Sequence, residues 1–169
     1  RAAEPRHRTL RAVVAWTWDL LEEDERRLAR RLAAFPGGIT GESAEAVAAA
    51  RPDLLAALAD RSLLRFDGER YHMLETIREY GLRELIASGE LARVRAAHAA
   101  HFTGLAARAE PELREAGQVR WLARLAAERG NLLAALRFAH ETGDAATALR
   151  LCVALAVFWL VRGDRAAME

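Results

Sequence analysis

The chain has 169 residues, 52% apolar and 29% charged, with a net charge of +1. That is enough for one compact domain or two small ones with a proper core, and it leaves no overall field to draw nucleic acid or an anionic membrane. A single cysteine, Cys152, excludes an internal disulfide and a multi-cysteine zinc cluster.

Residues 1–8 are polar, contain Pro5 and read as a linker. Thr9 suits an N-cap. From there Leu10, Val13, Val14, Trp16, Thr17, Leu20 and Leu21 keep a helical apolar face. Glu22 to Asp24 interrupt it and open a second helix, with acids in the first turn as the helix dipole favours. Leu28, Leu32 and Phe35 form the stripe of that helix. Arg26, Arg27, Arg30 and Arg31 could grip a phosphate, but with Glu22 and Glu23 four residues before Arg26 and Arg27 they are expected to form its solvated face.

Pro36-Gly37-Gly38 makes a turn. Thr40 or Ser43 caps a short third helix to about Ala49. Pro52 lies near the first turn of a fourth, with Leu54, Leu55, Leu58 and Ala59 apolar. Leu63 to Phe66 and Glu69 to Met73 then flank Asp67-Gly68, the signature of a two-residue hairpin.

A helix follows from Glu75 to Ala87. Leu74, Ile77, Gly81, Leu82 and Leu85 fall on one face, and Glu75, Glu79 and Arg83 line the other, where Glu79 can pair with Arg83. Glycine in mid-helix costs about 1 kcal/mol relative to alanine, so Gly81 is either simply tolerated or, the favoured reading, marks another element packed closely against it. The helix is expected to be the joint between two halves of the chain.

Ser88-Gly89 punctuates the sequence. A long helix runs from Glu90 to about Ala109, with Leu91, Val94, His98, Phe102 and Leu105 on one side, until Pro111 stops or bends it. Two helices fill Gln118 to Thr142, broken near Gly130. After Gly143-Asp144 comes a last apolar helix, Ala145 to Val161. In it, Cys152 is expected to be a buried small hydrophobe. The apolar run Leu151 to Val161 is 11 residues, short of the ~20 that span a bilayer, and RAAEPRHR has no apolar signal region. The chain therefore reads as soluble and cytoplasmic. Lacking a first Met and stopping after Met168-Glu169, it reads as part of a longer protein.

No catalytic constellation emerges. There is no Gly-x-x-x-x-Gly-Lys-Ser/Thr loop to cradle a triphosphate and no His-Glu-x-x-His. His98 and His101 are three apart on a helix, but no third metal ligand accompanies them, and the alanines around them indicate packing. The fourth helix carries two Asp and one Arg in DLLAALADRS, and the hairpin tip is Asp67-Gly68-Glu69. The helix has no Asn or Gln to read base edges and the tip would repel phosphate, so direct DNA binding by this segment is not expected.

Six blocks in order carry a family resemblance. These are Arg8 to Ala12 with Trp16-Thr17-Trp18-Asp19-Leu20-Leu21, then Phe35-Pro36, then Leu58-Ala59-Asp60-Arg61-Ser62-Leu63-Leu64. Next come Met73-Leu74-Glu75-Thr76-Ile77-Arg78-Glu79-Tyr80, His98 with Phe102, and Glu128-Arg129-Gly130-Asn131-Leu132. Together they resemble STAND signal-transduction ATPases of the NB-ARC type, in particular bacterial transcriptional regulators of the AfsR/SARP and large LuxR kind. The resemblance implies a mainly α fold: a winged-helix domain at 9–88, then antiparallel TPR-like helical repeats at 89–169.

In that family the winged helix closes over ATP or ADP bound to a preceding domain, and a Met-His-Asp triplet at the start of its last helix lies near the phosphate. Anchored on Arg78, the triplet aligns with Met73, Leu74 and Glu75. Leu74 cannot donate a hydrogen bond, and a shifted register offers His72 instead. The expected role is thus a non-catalytic regulatory fragment that holds no cofactor itself. Its partners would be the upstream nucleotide-binding domain, the downstream repeats, and a protein or small-molecule effector. A DNA-binding winged-helix domain is the alternative.

Overall fold

The computed structural model describes residues 12–162. The linker at 1–8, the Thr9 cap and Leu10 lie outside them, as do 163–169. The described chain is mainly helical, with one two-stranded antiparallel hairpin. It divides into two compact units between Val94 and Arg95.

The first unit opens with α1, helical over 12–19. Its buried residues are Val14 and Trp18, followed by Leu21, whereas Val13, Trp16 and Leu20 are 51%, 65% and 52% exposed. This corrects the predicted face. The helix carries more apolar side chains than one stripe can bury, so periodicity alone did not set its rotation. Packing sets it: Trp18 meets the Tyr80 ring at a tilt of 53°, with ring centroids 5.1 Å apart.

Helix α2 (Glu23–Leu32) starts at Glu22, whose amide donates to Glu25 Oε2 at 2.9 Å. Leu28, Ala29 and Leu32 are buried, as is the following Phe35. The helix packs against the three helices introduced next as α3, α4 and α5, so it is central to the unit.

The arginines of α2 do not form a solvated face. The side chains of Arg30 and Arg31 are 16% exposed and both reach Glu90, at 3.2 and 2.6 Å. Glu23 pairs with Arg26 and Arg30, and Asp24 rather than Glu23 takes Arg27. Arg26 donates to the Leu21 carbonyl at 2.9 Å. Glu25, buried between helices, accepts from Arg61 at 3.1 Å.

Helix α3 (Gly41–Ala48) uses both candidate caps. The Ser43 amide donates to Thr40 Oγ1 at 3.1 Å, and the Thr40 amide donates to Ser43 Oγ at 3.0 Å. Ala49, left-handed at φ 55°, ends α3. Pro52 then opens α4 (Pro52–Asp60), which buries Leu55 and Leu58 and half-buries Leu54 and Ala59.

Strands β1 (Arg65–Phe66) and β2 (Tyr71–His72) are shorter than predicted, and pair Arg65 with His72 and Phe66 with Tyr71. The Asp67 amide donates to the Arg70 carbonyl at 3.1 Å. The tip is therefore Gly68-Glu69, one residue beyond the expected Asp67-Gly68. Asp67 closes the turn with its side chain, and Gly68 supplies the positive φ of 105°. Tyr71 also exchanges both backbone hydrogen bonds with Ile39, each 2.8 Å, which pins the register from the other side.

Helix α5 (Glu75–Ala87) buries Ile77, Gly81 and Leu85 and half-buries Leu82. Leu74 departs from the expected core: it is the N-cap, with an extended ψ of 143°, and is 66% exposed. The predicted Glu79–Arg83 pair is replaced. Arg78 donates to Glu75 at 2.7 Å, and Arg83 lies over the Tyr80 ring. The close approach at Gly81 is present. A Cβ there would lie 2.8 Å from the Ala33 Cβ, 3.1 Å from Trp18 Cη2 and 3.5 Å from the Ala29 carbonyl.

Helix α6 (Leu91–Glu112) extends past the predicted end at Ala109 and runs through Pro111. The proline lies one residue from the terminus, where the missing N–H removes one hydrogen bond and no further turn depends on it. Val94, His98, Phe102 and Leu105 are buried, and Leu91 is half-buried.

In the second unit, α7 (Gln118–Ala127) and α8 (Arg129–Glu141) are separated at Glu128, just before the predicted break at Gly130. Helix α9 (Ala145–Arg162) packs on α8. Cys152 is exposed rather than buried. Helix α9 is apolar nearly all round: Leu151, Leu155 and Phe158 face the core, while Leu149, Val153 and Leu160 are exposed. Composition could not decide which face took Cys152.

Candidate functional site

The residues aligned with the triplet sit where β2 passes into α5. Met73 is half-buried and Leu74 caps α5. Glu75 accepts from Arg78 Nη2 and Nε at 2.7 and 3.0 Å, and the guanidinium holds its carboxyl below the ordinary range. A Glu three residues before an Arg on one helix face is a local pair, so Glu75 is already engaged on its own helix.

His72 belongs to the hairpin. Its Nε2 lies 2.7 Å from Asp67 Oδ2. Asp67 Oδ1 accepts from the amides of Arg70 and Glu69 at 2.8 and 3.0 Å. Those amides, and then His72, depress the Asp67 carboxyl far below its usual range. Arg70 Nη2 donates to the Gly38 carbonyl at 2.7 Å. At Gly38 an added Cβ would lie 2.5 Å from Arg70 Nε and 3.0 Å from His72 Cε1. This glycine thus makes room for the hairpin side chains.

His72 and Leu74 share a cavity of about 390 Å³, lined also by Ser62, Leu64, Arg65 and Phe66. Met73 and Glu75 are not among its lining residues. Of the four candidate positions, the structure brings these two together and leaves the other two apart. The cavity is mostly apolar. Two of its lining residues are exposed, Leu74 at 66% and Phe66 at 49%. Ser62 has a φ of 60°, a strained value for a residue with a Cβ, at the bend that leads α4 into β1. Such a surface can take an apolar side chain or a flat group, with the His72 ring and Arg65 as the polar contacts.

Two other motif blocks meet in the second unit. His98, of the His98/Phe102 block, is buried against Phe102, with ring centroids 4.6 Å apart. Burial lowers its pKa to about 4, and a side-chain hydrogen bond with Asn131 opposes that shift. Asn131 Nδ2 donates to Glu128 Oε2 at 2.7 Å, and both residues are buried. Sequence reading singled out each block without linking them. Their spacing on different helices is a tertiary fact, although two polar residues inside apolar helices were a visible sign. Among the described residues no group of three His, Cys, Asp or Glu gathers as metal ligands, and no helix is long and apolar enough to cross a membrane.

No family model matches the chain, and no solved structure matches it. Among curated proteins, a Mycobacterium bovis protein provisionally named an HTH-type transcriptional regulator is 39% identical over 173 residues, which is 96% of this chain and 19% of the relative. A Mycobacterium tuberculosis protein of the same provisional name matches to the same extent. A second M. tuberculosis protein, named only as uncharacterized, is 35% identical over 106 residues, covering 56% of this chain and 27% of its own length. The chain is thus similar along nearly its whole length to proteins named as transcriptional regulators, and spans about a fifth of the length of the first of them.

Proposed function

We propose that this chain is a non-enzymatic regulatory and interaction segment of a transcriptional regulator. The observation that carries this reading is the match over 96% of the chain to relatives named as transcriptional regulators. The order α2, α3, α4, hairpin, α5 supports a winged-helix reading of the first unit. Consecutive helices joined by short turns support reading the second as the start of a TPR-like array. The motif blocks shared with STAND ATPases support an ATP/ADP-switched domain as the neighbour. In that reading the surface around His72 and Leu74 faces the neighbour, with the His72 ring, whose Nε2 is hydrogen-bonded to Asp67, as its imidazole. Further helical repeats and an effector are the other partners, and the protein works in the cytoplasm.

A specific observation favours the second reading, a DNA-binding winged helix: the relatives are named HTH-type, which backs it more directly than it backs the ATPase switch. Charge argues the other way. Helix α4 and its caps present Asp53 and Asp60 beside Arg51 and Arg61, and Asp67 is ionised at the hairpin. DNA affinity rests on neutralising several phosphates, and this surface has little excess charge to do so. Fluorescence anisotropy with labelled duplexes at about 150 mM salt separates the readings. The regulatory reading expects no sequence-selective retention. Nanomolar, sequence-selective binding by the isolated chain makes the DNA reading correct.

A further inference from the structure

Two arginines of α2 line a cavity in the first unit. It has a volume of about 300 Å³ and is lined by Arg27 and Arg31 of α2, by Arg51 and Leu54 from α4 and the residue before it, and by Leu28 and Asp24. Three arginines and one carboxylate are among its lining residues, in a chain whose net charge is only +1.

The carboxylates around these arginines leave positive charge over. Glu90, which holds Arg31, is shared with Arg93 and with Arg30, and Glu23, the second partner of Arg30, is itself shared with Arg26. Asp53 holds Arg51 in a pair whose side chains are 61% and 65% exposed. Exposed pairs of this kind contribute little, so Arg51 can change partner at small cost. Arg31 also donates to the Ala48 carbonyl at 3.4 Å, which masks the negative end of α3. Leu28 is buried and Leu54 half-buried, which gives the cavity an apolar floor.

We propose that this cavity binds a small organic oxyanion. Its phosphate or carboxylate head is held by Arg27, Arg31 and Arg51, and its short apolar body lies over Leu28 and Leu54. The volume falls at the lower end of small-ligand pockets, roughly 300–1,000 Å³. Arginine presents a planar fork of donors that matches both kinds of head. Asp24 is the internal competitor: it pairs with Arg27, and its charge also reaches Arg51, whose pKa it helps to raise after the larger effect of Asp53. The site stands on its own geometry and does not depend on the regulatory reading.

The test is calorimetry on the 169-residue chain at low salt, titrated with inorganic phosphate, hexyl phosphate and hexanoate. Saturable one-site binding of an alkyl anion, tighter than inorganic phosphate, is expected, and whichever alkyl anion binds more tightly identifies the head. Arg27→Gln and Arg51→Gln should each weaken binding about tenfold, and Asp24→Asn should tighten it. Arg114→Gln, at a surface pair with Glu110 in the second unit, should change nothing. All four positions are exposed enough for the fold to survive, which circular dichroism checks. Absence of saturable binding, indifference to both cavity arginine variants, or weaker binding in Asp24→Asn overturns the proposal.

Discussion

Trp16 and Trp18 lie two residues apart in α1 and have opposite surroundings: Trp18 is 2% exposed and Trp16 65%. Truncating a buried aromatic costs about 3–5 kcal/mol through lost transfer energy and the cavity left behind. A surface change away from special features stays within about 0.5 kcal/mol. Trp18→Ala is therefore expected to lower the urea midpoint strongly and Trp16→Ala hardly at all. Equal effects would mean that α1 does not turn Trp18 inward and Trp16 outward.

His98 gives a pH dependence with a defined sign. Its folded pKa, about 4, lies below the unfolded value near 6.5. The unfolded chain therefore takes up a proton in that window which the folded chain resists. Stability from this site is complete above about pH 6.5 and falls as pH drops toward about 4, by about 1–3 kcal/mol. His101 and Arg95 act in the same direction, since their charge disfavours the imidazolium, and the hydrogen bond with Asn131 opposes them. Glu90 acts later. Held down to about 2, mainly by Arg31, it loses its contribution only below its ordinary value of 4.5. Urea melts at pH 7 and 4.5 of the parent and of His98→Gln check this: the variant should show the flatter response, and an equal response in both would sink it.

At the scale of elements, the contact between α2 and α5 decides how the first unit closes. Gly81 of α5 faces Ala29 and Ala33 at the end of α2, with Trp18 of α1 behind. Small residues on both sides let the backbones come close, and a larger side chain would push them apart. Gly81→Leu gains close to 1 kcal/mol of helix propensity but must displace Ala33 and the Trp18 ring. Overpacking of this kind costs about 1–3 kcal/mol, so the net change should be destabilising. A raised midpoint for Gly81→Leu would show that the neighbours yield and that the site is merely tolerant. The hairpin makes a related point. Its register depends on Asp67 turning its side chain onto two amides and on Ile39 pairing with Tyr71, so the Asp-Gly dipeptide marked the turn but not its centre.

For the whole molecule, length, composition and helical periodicity determined the mainly α class, the hairpin and most element bounds. These signals are local: caps such as Thr40, breakers such as Pro36 and Gly143, and apolar spacing act within one or two turns of chain. The spacing of Val94, His98, Phe102 and Leu105 put all four on the buried face correctly, because only one stripe of α6 is apolar there. Where a helix is apolar on more than one side, as in α1 and α9, the sequence left the choice open, and packing turned Trp16 and Cys152 outward. The charged residues were decided the same way. Spacing along α2 described a solvated arginine row, yet Glu90, 59 residues from Arg31, drew two of those arginines inward. Only the tertiary structure could bring His98 to Asn131, Gly81 to Ala33, and Arg51 to the cavity beside Arg27. Each meeting joins residues far apart in sequence, where the chain carries no periodic signal and only burial and electrostatics select the partner.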